Sequence, residues 1–241
     1  GCREKDVFLR GLHHHQMEPV WGGQSDSAGT LRANCAHALV ACEGLPNPDL
    51  LLLLIDLLAD ADKAVRVEAV RAISQTGEAA IPVLRLRALI PGEDPEVLAA
   101  CFASLLELEG DAAIPFVSRF LAAADDCAAE AAFALAATHN PLALGNLLQL
   151  HLEPSAAASE PWFVGVLLSA IALTRIPQAI DYLIDLIERE EPHAVIAIEA
   201  LAKVEPGPEL RERLTRTVAD VGSPRLTRAL QEHLESRPPR R

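Results

Sequence analysis

Hydrophobic residues return along this chain at the spacing of a helix. Phe8, Leu9 and Leu12 share one face over residues 4–15, and Leu31, Cys35, Ala38, Leu39 and Cys42 share one over 28–42, with a polar, glycine-bearing loop at 16–27 between them. After Pro46-Asn47-Pro48 the pattern becomes regular and alternates two kinds of helix, A and B. An A helix at 51–58 is followed by a turn carrying Asp60 and Asp62 and by a B helix at 63–75, with Val65, Ala69, Ala72 and Ile73 inward. Gly77 closes it, where glycine takes left-handed backbone cheaply. The next A helix spans 78–89, and Asp94-Pro95-Glu96 opens the next B helix as cap and first two residues. Its inward set is Val97, Cys101, Ser104 and Leu105, and Gly110 ends it. A third A helix covers 112–121, and Asp125-Asp126 opens a B helix that ends near His139-Asn140. Later A helices fall at 141–152, 178–188 and 209–218. Later B helices open at Ser159-Glu160-Pro161, with Phe163, Leu167, Ala170 and Ile171 inward, at Glu191-Pro192 and at Ser223-Pro224.

The alternation has a period. Gly77-Glu-Ala-Ala-Ile-Pro-Val-Leu84 returns as Gly110-Asp-Ala-Ala-Ile-Pro-Phe-Val117, 33 residues later. B helices begin near 28, 62, 94, 126, 160, 191 and 223, in steps of 31 to 34 residues. Such a period marks stacked repeats, because one helix pair cannot bury its apolar face alone. The expected fold is all-α: an α-solenoid of about seven antiparallel helix pairs in one superhelical stack, without a sheet.

These units resemble HEAT repeats of the short bacterial type found in phycobilisome-lyase-like HEAT proteins. The resemblance rests on Asp62, on Val65-Arg66-Val67-Glu68-Ala69-Val70-Arg71-Ala72-Ile73, on Gly77 and on Ala80-Ile81-Pro82-Val83-Leu84. It covers most of 28–236, most closely 60–121, and the B-helix arginine is missing after residue 124. It implies that B helices line an inner wall and A helices an outer one.

Composition narrows the picture. Of 241 residues half are hydrophobic and only 4% aromatic, which suits close-packed helices. The formal charge of −13 repels phosphate backbones, so no nucleic-acid partner is expected, and no apolar run is long enough to span a membrane. Cys2, Cys35, Cys42, Cys101 and Cys127 are odd in number and lack CxxC spacing. They read as buried free thiols in a reducing, cytoplasmic setting, not as disulfides or a zinc site.

Candidate chemistry is sparse. His13-His14-His15 are consecutive, so on a helix they point about 100° apart and share no metal. Glu107, Glu109 and Asp111 cluster at a helix end, where a solvated face is the ordinary outcome. No GxGxxG, GxSxG, HExxH or Walker pattern occurs. The expected catalytic, metal and cofactor sets are therefore empty. The expected function is a non-catalytic scaffold, with monomer favoured, that binds a protein or peptide along its inner wall. The partner-binding set is Arg66, Glu68, Arg71, Glu96, Glu130, Trp162, Glu199 and Lys203. The alternative is a HEAT-like lyase or nucleic-acid-modifying enzyme using the same groove. Residues 1–27 are expected to form a capping helix and loop with Trp21 folded over the edge of the stack, 28–236 the repeat array, and 237–241 a disordered tail.

Overall fold

The computed structural model describes residues 2–21, 23–43, 48–153, 155 and 158–235. The expected tail at 237–241 lies outside them. The class is all-α. In chain order the helices are α1 (Cys2–Leu12), α2 (Gly29–Glu43), α3 (Pro48–Leu57), α4 (Lys63–Ser74), α5 (Ala80–Leu89), α6 (Pro95–Glu109) and α7 (Ile114–Ser118). They continue as α8 (Asp126–Ala137), α9 (Pro141–Leu152), α10 (Pro161–Leu173), α11 (Pro177–Glu188), α12 (Ala194–Lys203), α13 (Pro208–Val221) and α14 (Pro224–Leu230). Proline sits at the start of α6, α9, α10, α11, α13 and α14, where its missing N–H has no helical partner to lose. Asp62, Asp94, Asp125 and Asn140 cap α4, α6, α8 and α9 through side-chain bonds to backbone N–H groups.

Two expectations about elements need correction. A sheet was not expected, yet β1 (Met17–Val20) and β2 (Gly23–Asp26) pair antiparallel, Met17 opposite Asp26 and Val20 opposite Gly23. Only Trp21 and Gly22 separate the strands, a connection of hairpin length that carries glycine. The A helices after Gly77 and Gly110 are also shorter than expected. Gly77–Ala79 and Gly110–Ala113 are 3₁₀ turns, α5 and α7 follow them, and α7 gives way to 3₁₀ again over Arg119–Ala123. Pro82 and Pro115 explain the late starts. Each lacks an N–H and its ring crowds the carbonyl four residues back, so α-helix geometry begins only just before it.

The chain divides into two compact units, 1–113 and 114–241. In the first, α2, α4 and α6 follow one another in contact, with α3 against α2 and α4, and α5 against α4 and α6. In the second, α8, α10, α12 and α14 form the same kind of row. There α9 lies against α8 and α10, α11 against α10 and α12, and α13 against α14. Burial repeats with the helices: Val65, Ala69, Val70, Ala72 and Ile73 of α4 have buried counterparts, each 32 residues on, in Val97, Cys101, Phe102, Ser104 and Leu105 of α6. The expected core residues Val65, Ala69, Val97, Phe163 and Leu167 are fully buried.

At the N-terminus α1 packs on α2 and buries Leu12. A Cβ on Gly11 would stand 2.2 Å from Cys35 Sγ, so this close approach needs glycine. The contact turns α2 from its expected register. Leu31 and Cys42 are exposed and Ala38 half-buried, while Arg32, Ala33, Cys35, Ala36, Leu39 and Val40 face inward. Trp21 does not fold over the stack. It stands fully exposed at the hairpin end, because the paired strands carry it away from α2. The expectation of buried thiols holds for Cys35 and Cys101 and fails for Cys42, which is exposed, and Cys127, which is half-buried. Among the described residues no helix is long and apolar enough to cross a membrane.

Candidate functional site

The B-helix faces owe their chemistry to the repeat. Polar contacts between helices recur at separations close to the period of the sequence. In the first unit His37 on α2 bonds Glu68 on α4 (2.7 Å, 31 residues apart), and Lys63 on α4 bonds Glu96 on α6 (2.8 Å, 33 apart). Arg71 continues the first contact by pairing with Glu68, and Gln75 reaches His37 from the other side. Glu96 raises the Lys63 pKa, with Asp94 adding to the effect. Both pairs are solvated, so each sets geometry more than stability.

Beside this face lie two arginine sites of similar design, one buried and one half-buried. Arg32, 1% exposed, makes a bidentate pair with Asp60 (2.7 and 2.9 Å) and also bonds Asp26 and the His14 carbonyl. Burial works against its charge, but Asp60 and Asp26 outweigh burial and raise its pKa. Arg66 stands 34 residues later and bonds Glu93, 33 residues after Asp60, together with the Asp60 and Ala61 carbonyls. Glu93 is buried and also meets Arg87, whose pKa is lowered by burial and by Arg66. Arg66 was expected on the binding surface. It is half-buried on α4, where the turn carbonyls and Glu93 take up its fork. It therefore acts as a clamp between successive pairs.

In the second unit Glu199 and Lys203 pair along one turn of α12 at 2.9 Å, and Lys203 lowers the Glu199 pKa. Trp162 on the first turn of α10 is 46% exposed and meets Phe163 edge to face at 5.4 Å, while Phe163 itself is core. Phe133 on α8 is also exposed, and Glu130 is half-buried. A cavity of about 480 Å³ opens where α8 and α10 end, lined by Ala137, His139, Leu173, Thr174, Arg175, Ile176 and Pro177. His139 Nδ1 donates to the Thr174 carbonyl across it (2.8 Å). A second cavity of about 280 Å³ lies between the 3₁₀ turn after α7 and α9, where Asn146 donates to Ser118.

Of the eight expected binding residues, Arg71, Glu96, Trp162 and Lys203 are exposed on B helices, and Arg66, Glu68, Glu130 and Glu199 are half-buried there. The structure brings Glu68 to Arg71 and Glu199 to Lys203. The sequence reading missed His37 and Lys63, and it missed a cluster on the A-helix side. There His151 Nδ1 lies 2.6 Å from the Tyr182 hydroxyl, and His151 Nε2 lies 3.2 Å from His193 Nδ1. Burial, and then His193, drive the His151 pKa down to about 4, and burial raises that of Tyr182. The available signal was the repeat itself, since His37 to Glu68 and His151 to Tyr182 are both 31 residues apart. Compared with known protein families and with curated protein sequences, the chain matches none.

Proposed function

We propose that the helix pairs of this chain are HEAT-type repeats of an α-solenoid, and that the protein is a non-catalytic scaffold binding a protein or peptide along its B-helix faces. The observation that carries the reading is the row of B helices in each unit, joined in the first unit by polar contacts 31 and 33 residues apart, and presenting Arg71, Glu96, Trp162 and Lys203 to solvent. Charges of both signs and an exposed tryptophan on such helices suit a peptide chain, which offers both ionic and apolar groups. The −13 charge favours a partner with a basic segment.

The test compares wild type with Trp162→Ala and Arg71→Glu in affinity capture from the native cell, read by mass spectrometry. Trp162 and Arg71 are exposed, so both variants should keep their helical circular dichroism. The expected result is one or more proteins retained by wild type and lost from at least one variant. Equal recovery by all three chains would reject the B-helix faces as the binding surface.

A further inference from the structure

We propose that His151 and His193 form a binding site for a divalent late first-row metal cation, Zn²⁺ or Cu²⁺, with Tyr182 holding His151 in the ligating tautomer. His151 lies in the last turn of α9, Tyr182 lies within α11, and His193 caps the start of α12. Three separate elements of one unit thus place two imidazoles against each other, and all three side chains are half-buried. The two rings cross at 65° with centroids 5.2 Å apart, and His151 Nε2 and His193 Nδ1 are 3.2 Å apart. Two nitrogens on a tetrahedral zinc, each about 2.05 Å from the ion, stand about 3.3 Å apart. The nitrogens are therefore already at ligand separation, and a cation can enter with little movement of either ring.

The proton count closes without release of a proton. In the metal-free pair one imidazole N–H points at the other ring. On binding, the His151 proton occupies Nδ1 and donates to the Tyr182 oxygen, and the His193 proton occupies Nε2. Both facing nitrogens then present lone pairs. A hydrogen bond that fixes the second nitrogen of a ligating histidine is the usual outer-shell device for orienting the ring. Among the described residues no group of three or more His, Cys, Asp or Glu side chains could hold a metal. The site is therefore open, with solvent completing the shell. Imidazole ligands favour zinc, copper and nickel over magnesium or calcium.

The experiment is a Zn²⁺ titration by calorimetry on the full chain at neutral pH and physiological salt, in a background carrying His13→Ala, His14→Ala and His15→Ala to remove the other histidine cluster. One equivalent should bind. His193→Ala, at the half-buried turn before α12 and outside the helical core, should lose it while keeping the helical circular dichroism. Tyr182→Phe keeps the ring contact and should weaken affinity about 10-fold or more. With Cu²⁺ as probe, electron paramagnetic resonance should show nitrogen coupling that His193→Ala reduces. No binding by the parent chain, or the same affinity in parent and His193→Ala, would overturn the proposal.

Discussion

Glu205 holds a backbone conformation that side chains rarely adopt. Its φ is 53°, and His139 and Arg175 do the same at 51° and 55°, just past the ends of α12, α8 and α10. In the first unit the corresponding turns after α4 and α6 use Gly77 and Gly110, at 72° and 57°. A non-glycine residue in this region meets its own Cβ against the following carbonyl, at a cost of roughly 1–2 kcal/mol. His139 offsets part of this through its bond to Thr174. Glu205 is exposed, so its side chain can be removed without touching the core. Glu205→Gly should raise stability by about 0.5–1 kcal/mol, after the loss from a more flexible unfolded chain. A urea midpoint below that of wild type would show that the turn is not strained. Buried leucines and valines were legible at this scale because period and hydrophobicity agree. Arg32 and Glu93 were not: charged residues in a helical pattern read as surface, and only the partners one turn or one repeat away make their burial tolerable.

At the scale of elements, the N-terminal hairpin depends on one carboxylate. Asp26 accepts from the Gln16 and Ala28 backbone N–H groups, from His15 and from Arg32, at 2.6–3.0 Å. The two backbone donors, then His15, hold its pKa far below the usual carboxylate range, with Arg32 contributing the remainder against some burial. The sign follows from linkage. A carboxylate whose pKa is depressed on folding contributes stability that is fully present above its unfolded value, about 3.9, and is lost as pH falls below that toward the folded value. Wild type should therefore lose stability on acidification below about pH 4. Asp26→Asn should start less stable at neutral pH and fall less steeply. Protection of the α1 amides against hydrogen exchange, relative to the unfolded-chain rate at each pH, should be high at neutral pH and fall over the same acid range. Parallel pH profiles for the two chains would refute this role. The helices themselves were readable from caps, prolines and spacing. The hairpin was not, because Met17-Glu18-Pro19-Val20 contains a proline and is only four residues long, too short for alternation to stand out.

For the whole molecule, the period of the sequence made the order of the helices legible along the chain, because caps and apolar spacing return with it. The division at 113–114 was not legible, since it falls inside Gly110-Asp-Ala-Ala-Ile-Pro115, whose counterpart Gly77-Glu-Ala-Ala-Ile-Pro82 the first unit carries without a break. The His151–Tyr182–His193 cluster escaped notice for a related reason: its members are ordinary surface residues until the fold sets neighbouring repeats side by side.

Trp21 at the hairpin end has an optical consequence. The chain has two tryptophans, and both meet water: Trp21 fully, and Trp162 over nearly half its surface. Native fluorescence should be dominated by solvated indole, with an emission maximum close to that of the free amino acid and ready quenching by acrylamide. Denaturation should then move the spectrum only slightly, although the helices melt in full. Replacing Trp21 with phenylalanine would leave Trp162 as the single emitter and turn fluorescence into a direct reporter of whatever settles on the α10 face. A strongly blue-shifted native spectrum from the unaltered chain would mean that one of these indoles is covered in solution.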